Sequence, residues 1–130
     1  MSECQFKVGE KYTRNDIYRI CKVPVNRQGG NWNTGYNKYG YDWFLFVNLG
    51  DAKDEKYNYD NRFEGDDLVW YGKNGSKLEH PSIQSLINPK GNVHIFYREQ
   101  PKGPFTYAGK GVVKSVKDTS PVEIVWCFVD

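Results

Sequence analysis

The stretch Tyr57-Asn58-Tyr59-Asp60-Asn61-Arg62-Phe63-Glu64-Gly65-Asp66-Asp67-Leu68-Val69-Trp70-Tyr71-Gly72-Lys73 organises the chain. It starts as an acidic, aromatic and amide-rich loop, tightens at Gly65-Asp66, and becomes a short strand ending in two adjacent aromatics and a glycine. Tyr59, Trp70 and Tyr71 offer flat faces, and the Asn61 amide both donates and accepts. A glycine turn lets backbone approach a ligand. Together these are what holding a planar, hydrogen-bonding group such as a nucleobase requires.

Gly65-Asp66-Asp67-Leu68-Val69-Trp70-Tyr71-Gly72, preceded by Tyr59-Asp60-Asn61, resembles the pocket motif of SRA domains, which read modified cytosines in DNA. That motif is an aromatic, acidic residues, Gly-Asp or Gly-Asn, a hydrophobic strand, then aromatic-Thr-Gly. Counted from Gly65, the family's stacking aromatic falls on Trp70, and the acidic residue that hydrogen-bonds the base edge falls on Asn61. The other stacking aromatic falls on Asn58, one residue short of Tyr59. Asn61 and the offset of Tyr59 are departures from the motif.

A wider likeness involves Tyr12-Thr13-Arg14-Asn15-Asp16-Ile17, Gln28-Gly29-Gly30-Asn31-Trp32-Asn33-Thr34-Gly35-Tyr36, Val93-His94-Ile95-Phe96-Tyr97-Arg98 and Pro104-Phe105-Thr106-Tyr107-Ala108-Gly109. These segments resemble the SRA-like module of modification-dependent (type IV, SauUSI-like) restriction enzymes, found behind helicase motors. The resemblance implies a mainly β (α+β) fold, an SRA/PUA-like twisted β-barrel with two short covering helices. As partners it implies double-stranded DNA carrying a modified base, with nuclease and helicase/ATPase domains in the same protein or system.

The 130 residues are read as one domain, 1–130, able to bury a core without staples. An aromatic content of 16%, with ten Tyr, four Trp and a single Met, favours a β-rich domain over long amphipathic helices. Formal net charge is +2, too weak to announce a nucleic-acid binder. Its distribution is more informative: +3 over residues 1–42, −4 over 43–72 and +3 over 73–130. Acid thus gathers around the central loop, as a base-reading pocket flanked by phosphate-facing lysines or any mixed surface would have it. Cys4, Cys21 and Cys127 are widely spaced and odd in number. This suggests neither a disulfide framework nor a zinc site and fits a reducing cytoplasm. No signal peptide or apolar run of membrane length is visible, so a cytoplasmic domain with no membrane partner is expected.

Taken in order, Thr13 precedes Arg14-Asn15-Asp16-Ile17-Tyr18-Arg19-Ile20-Cys21 with Asp16 at capping-box distance, which predicts a short helix ended before Pro24. Asn26 to Gly40 reads as a long surface loop. Within it Trp32 either packs back on the barrel or reaches for a ligand. With Tyr36 it is a candidate to close the pocket from the opposite side, or to wedge into the gap left by a flipped base. Tyr41 to Asn48 is a nearly continuous apolar run, read as a buried central strand, and Leu49 to Lys56 is a charged excursion. Pro81 to Asn88, with Ile83, Leu86 and Ile87 at helical spacing, predicts a second helix. Asn92–Glu99, Phe105–Lys117 and Val122–Val129 read as strands, the middle one interrupted near Gly109-Lys110-Gly111. The abrupt, strand-like end suggests a module of a longer protein.

With only His80 and His94 and no paired cysteines, no metal centre is expected, and no dinucleotide, Walker or G-x-S-x-G loop implies a cofactor or nucleophile. Asp60, Glu64, Asp66 and Asp67 could serve acid/base chemistry, but such a cluster on one loop reads as a solvated face. The domain is therefore expected to bind and not to catalyse. Trp70 and Tyr59 are the candidate stacking faces, with Asn61 at the base edge and Asp60 a further base-binding candidate. Tyr71 should point away from Trp70, so one of the two is core, and Trp70 is the better placed for the pocket. Arg27, Gln28, Lys38, Lys73 and Lys77 are candidate phosphate contacts.

The leading expectation is a specificity module that flips a modified base, 5-methyl- or 5-hydroxymethylcytosine, out of duplex DNA into an aromatic pocket and targets a restriction nuclease. Two alternatives stand beside it. One is a PUA/EVE-like reader of a modified base in RNA or single-stranded nucleic acid, and the other a carbohydrate-binding or hydrolytic β domain.

Overall fold

The strand Asp42–Asn48, β3, makes two hydrophobic layers from one sheet. Successive side chains point to opposite faces, and here both sets are apolar. Trp43, Leu45 and Val47 enter one core, and Phe44 and Phe46 the other. Its parallel neighbour Val93–Arg98, β6, repeats the arrangement, with Val93 and Ile95 on the first side and Phe96 on the second. The structure, a computed structural model, describes residues 5–33, 35–49, 61–73, 75–100 and 102–129.

Six further strands are described: β1 (Lys11–Tyr12), β2 (Tyr36–Tyr39), β4 (Arg62–Glu64), β5 (Asp67–Tyr71), β7 (Phe105–Lys117) and β8 (Glu123–Val129). They join β3 and β6 in the order β2-β3-β6-β7-β8-β5-β4, with β1 beside β7, and every described pairing except β3–β6 is antiparallel. The sheet curls strongly. Tyr36 on β2 and Trp70 on β5 bring their rings to 5.3 Å although four strands lie between them in the sheet order. No pairing joins β2 to β4 among the described residues, so the twisted barrel is half closed.

Two irregularities in β7 help the curl. The register slips at Ala108, between the pairs Ile95↔Gly109 and Phe96↔Tyr107, and again at Lys114. Each extra residue bends the strand and increases its twist. The interruption expected near Gly109-Lys110-Gly111 is therefore a bulge within one 13-residue strand. Gly111 is required by packing: a Cβ there would stand 2.5 Å from Ile95 Cδ1 and 3.0 Å from Trp126 Cε3.

The helices cover opposite faces. In α1 (Arg14–Ile20), Thr13 Oγ1 accepts the Asp16 N–H at 3.1 Å and Asp16 Oδ2 accepts the Thr13 N–H at 2.9 Å, completing the capping box. This helix buries Ile17 and Tyr18 against Trp32, Phe44, Phe46 and Phe105 on the convex side. In α2 (Pro81–Ile87), Ile83 and Leu86 enter the concave core, and Ser85 Oγ accepts the Trp43 indole N–H at 3.0 Å. One helix per face follows from the apolar character of β3 and β6 on both sides.

Residues 26–40 are more ordered than expected of a loop: short 3-10 turns at Val25–Arg27 and Gly30–Asn33 lead into β2. Buried Cys21 is disulfide-bonded, against the expectation of unpaired thiols, whereas Cys127 is free. Between β3, β6 and β7 lies a buried polar chain. Fully buried His94 meets Tyr107 Oη through Nδ1 at 2.9 Å and Asp42 Oδ2 through Nε2 at 3.1 Å, and Asp42 Oδ1 accepts the Asn92 N–H at 2.9 Å. Among the described residues no helix is long and apolar enough to cross a membrane.

Candidate nucleic-acid interface

The β4–β5 hairpin closes through the two-residue turn Gly65-Asp66, with Glu64 opposite Asp67 and Gly65 at φ 63°. A left-handed first turn residue matches the strand twist, and glycine adopts it without a steric cost. The hairpin carries Asn61 at its base. Asn61 Oδ1 accepts the Tyr71 N–H at 2.9 Å, which fixes the orientation of the amide because a backbone N–H needs an acceptor. The Asn61 NH2 is left with its two donors and no protein partner among the described residues.

Strand parity places Trp70 and Tyr71 on opposite faces, but in the sense contrary to expectation. Trp70 is only 2% exposed and sits in the concave core, edge-on to Tyr36 and 6.3 Å from Trp126. Tyr71 is half-buried and faces outward, donating to Glu123 Oε1 at 2.6 Å. Lys117 Nζ lies 3.5 Å from the other Glu123 oxygen. The Glu123 carboxylate, with burial, pushes the Tyr71 phenol up, so it stays a neutral donor. Trp70 thus lines the interior of the curl and presents no open face. The physical reason is that Leu68, Trp70, Ile124 and Trp126 share the concave side, where an indole gains most from burial.

Next to Trp70, Tyr36 forms the wall of a recess of about 300 Å³ lined by Tyr36, Asn37, Lys38, Trp43, Lys73 and Ser82. Lys73 Nζ lies 4.4 Å from the centroid of the Tyr36 ring. Partial burial lowers the Lys73 pKa, and burial raises that of Tyr36. The turn beyond β5 is held by Gly72, where a Cβ would collide with Ser76 Oγ and whose N–H donates to Val122 O at 3.0 Å. A cation over an aromatic face, with a second lysine at the rim, suits a phosphate beside a planar group. Sequence reasoning found Tyr36, Lys38 and Lys73 but missed Trp43, Asn37 and Ser82. The only available signal was that Pro81 starts a helix and so puts Ser82 in its first turn.

The other candidates do not gather here. Trp32 is 2% exposed on the convex side, packed against Tyr18 and Phe44, with its indole N–H on Arg27 O at 3.1 Å. It cannot close a concave pocket with Tyr36 because the sheet lies between them. Gln28 Nε2 donates to Val23 O at 3.0 Å and braces its own turn. Arg27 lies over the Tyr39 ring at 5.8 Å. Lys77 borders a separate recess of about 470 Å³ that also includes Glu79 and Asp118, a mixed-charge lining. Tyr59 and Asp60 lie outside the described residues.

The fold is similar to that of solved SRA domains. The SRA domain of SUVH5 in complex with hemimethylated CG DNA matches 99% of this chain over 93% of its own length, with a TM-score of 0.63 and 11% identity. The same domain bound to fully hydroxymethylated CG DNA gives 95%, 89%, 0.56 and 13%. The DNA modification-dependent restriction endonuclease AspBHI matches 95% of this chain over 73% of its own, with a TM-score of 0.55 and 18% identity. At such identities the likeness shows the fold alone. No curated protein matches the sequence. Residues 6–125 match the family described as Domain of unknown function (DUF3427).

Proposed function

The chain belongs to the DUF3427 family and has the SRA fold, and from that premise we propose that it is a DNA-binding specificity module that reads a modified cytosine. In this reading a 5-methyl- or 5-hydroxymethylcytosine leaves the duplex and is held at the mouth framed by Asn61 and Tyr36, with Lys38 and Lys73 on the flanking phosphates. The module contributes no cleavage. A nuclease and a helicase or other motor act from other domains or partners, in the cytoplasm.

The observation that carries the reading is fold likeness over almost the whole chain to SRA domains solved with methylated and hydroxymethylated CG DNA, and to a modification-dependent restriction endonuclease. Asn61 adds chemistry to it. With Oδ1 committed to Tyr71, the side chain offers N–H donors. On the exposed edge of cytosine, N3 and O2 are the acceptors that such donors address. Extruding a base costs a few kcal/mol, and stacking on an aromatic surface returns about 1–3 kcal/mol per base. The hydrogen bonds must therefore contribute to closing the balance.

The test is a titration at fixed salt against matched duplexes with one central cytosine, 5-methylcytosine, 5-hydroxymethylcytosine or N6-methyladenine. Tighter binding to a modified-cytosine duplex is expected. A 2-aminopurine reporter placed next to the site, paired with thymine, should brighten as the neighbouring cytosine leaves the stack. Equal, weak binding to all four duplexes, with no change in the reporter, rules the reading out and directs attention to modified RNA or glycans.

A further inference from the structure

On the convex side, two arginines converge on one aromatic ring. Arg14, at the start of α1, has its guanidinium carbon 4.5 Å from the Phe46 centroid and 5.2 Å from that of Phe105. Arg98, at the end of β6, lies 4.2 Å from the same Phe105 centroid. Each is aimed by hydrogen bonds. Arg14 Nε donates to Trp32 O at 2.5 Å, while Arg98 Nε donates to Asn48 Oδ1 at 3.0 Å and Arg98 Nη1 to Gly103 O at 3.1 Å. Every acceptor is neutral. Among the described residues neither guanidinium has a carboxylate within ion-pair distance. The nearest acid on α1, Asp16, is committed to Arg19 and to the Thr13 cap.

Two like charges held on one ring, half-buried and with no carboxylate partner among the described residues, are costly unless an anion completes the group. Burial lowers the pKa of both residues, and the Arg98 charge lowers that of Arg14 further. Stacking and neutral acceptors immobilise the forks in advance, so little entropy is lost when their remaining Nη donors meet oxygen. Phosphate oxygens, which take such forks bidentately, are the anion this chemistry fits best.

We propose that Arg14 and Arg98 form an anion site for backbone phosphate of the bound nucleic acid, separate from the Lys38–Lys73 recess. The proposal rests on the DNA-binding reading above. The Arg98 carbonyl accepts the Leu49 N–H at 2.8 Å where β3 ends, and neighbouring Tyr97 packs against Phe63 of β4 at 5.1 Å. Tyr97 and Arg98 alternate across β6, so the pair lies at the same end of that strand as the Phe63 contact but on the opposite, convex face.

The experiment compares the wild-type chain with Arg14→Gln, Arg98→Gln and Arg98→Lys in salt titrations on plain and modified duplexes. Each Gln variant should weaken binding to both duplexes by the same factor, about tenfold at low salt. Each should also flatten the slope of log K against log salt by about 0.9 for every phosphate it no longer neutralises. Arg98→Lys, which keeps the charge but not the fork, should fall between. Wild-type affinity and slope in both Gln variants overturn the proposal. A second readout does not depend on DNA: inorganic phosphate, but not chloride at equal ionic strength, should shift the Arg14 and Arg98 Nε–Hε resonances. If the wild-type chain binds no duplex, the DNA reading fails while this titration still decides the pair, and unmoved resonances overturn it.

Discussion

Asn61 Oδ1 accepts the backbone N–H of Tyr71 at 2.9 Å, tying the residue before β4 to the end of the neighbouring strand β5 at the open end of the hairpin. The bond fixes which end of the amide faces outward. Asn61→Asp keeps the acceptor for Tyr71 but replaces two donors with an oxygen. Its stability should stay near wild type while the preference for modified cytosine falls at least tenfold. Asn61→Ala loses both functions and should also cost about 1 kcal/mol of stability. Urea unfolding beside duplex titration separates the two effects, and unchanged discrimination in Asn61→Asp would remove this residue from the base edge.

Lys38 and Lys73 share the recess walled by Tyr36 and Trp43. If they meet phosphates there, Lys38→Gln and Lys73→Gln should each weaken plain and modified duplexes alike. Each should also lower the salt slope by about 0.9. A loss confined to the modified duplex would mean that the residue touches the base. Since Lys73 lies over the Tyr36 ring, Tyr36→Leu should reproduce part of the Lys73 effect by removing its cation–π support.

Much of the architecture was legible because it depends on local chemistry. Thr13 with Asp16 three residues on marks the start of α1, Pro81 marks α2, and the apolar run after Tyr41 marks β3. Parity along a strand tells that Trp70 and Tyr71 face apart, but not which of them faces in. That sign is set by Tyr36 and Trp126, partners distant in the chain. β2 was missed for a similar reason. Tyr36-Asn37-Lys38-Tyr39 is short and polar and becomes a strand by pairing with Asp42–Leu45. Trp32 resembled a probe at a loop tip until α1 and β3 supplied Tyr18 and Phe44 to pack it. The pairing of Arg14 with Arg98 needed the fold itself, because the two lie far apart in the chain, one at an element's start and the other at an element's end.

Because Trp70 is core, its truncation tests stability before it tests recognition. Trp70→Ala should cost about 3–5 kcal/mol, enough to unfold a large fraction of a marginal domain. Trp70→Phe keeps an aromatic edge against Tyr36 at a smaller cost. It is the variant in which a change of base preference can be interpreted. If Trp70→Phe binds and discriminates like wild type, the indole acts only through packing, and Tyr36 becomes the aromatic to vary next.

The buried chain Asp42–His94–Tyr107 predicts how stability depends on pH. Burial lowers the His94 pKa below its ordinary 6.5, an effect opposed by Asp42 and reinforced by Lys110. Burial pushes the Tyr107 hydroxyl far up, so it remains protonated throughout. Apart from these groups, Phe6 and Phe44 surround the imidazole, and neither can stabilise a charge with a counter-ion. The unfolded chain therefore binds a proton at higher pH than the folded one. Stability due to His94 is intact above about 6.5 and is lost as pH falls from there toward the folded value. Thermal unfolding followed in half-unit steps from pH 8 to 5 should show the midpoint falling below about 6.5. His94→Gln should have a lower midpoint at pH 8, because Asp42 and Tyr107 lose geometry. It should also have a flatter profile between pH 6.5 and 5, because the titrating group is gone. An equal slope in wild type and variant would assign the acid sensitivity to carboxylates elsewhere and leave His94 with a packing role alone.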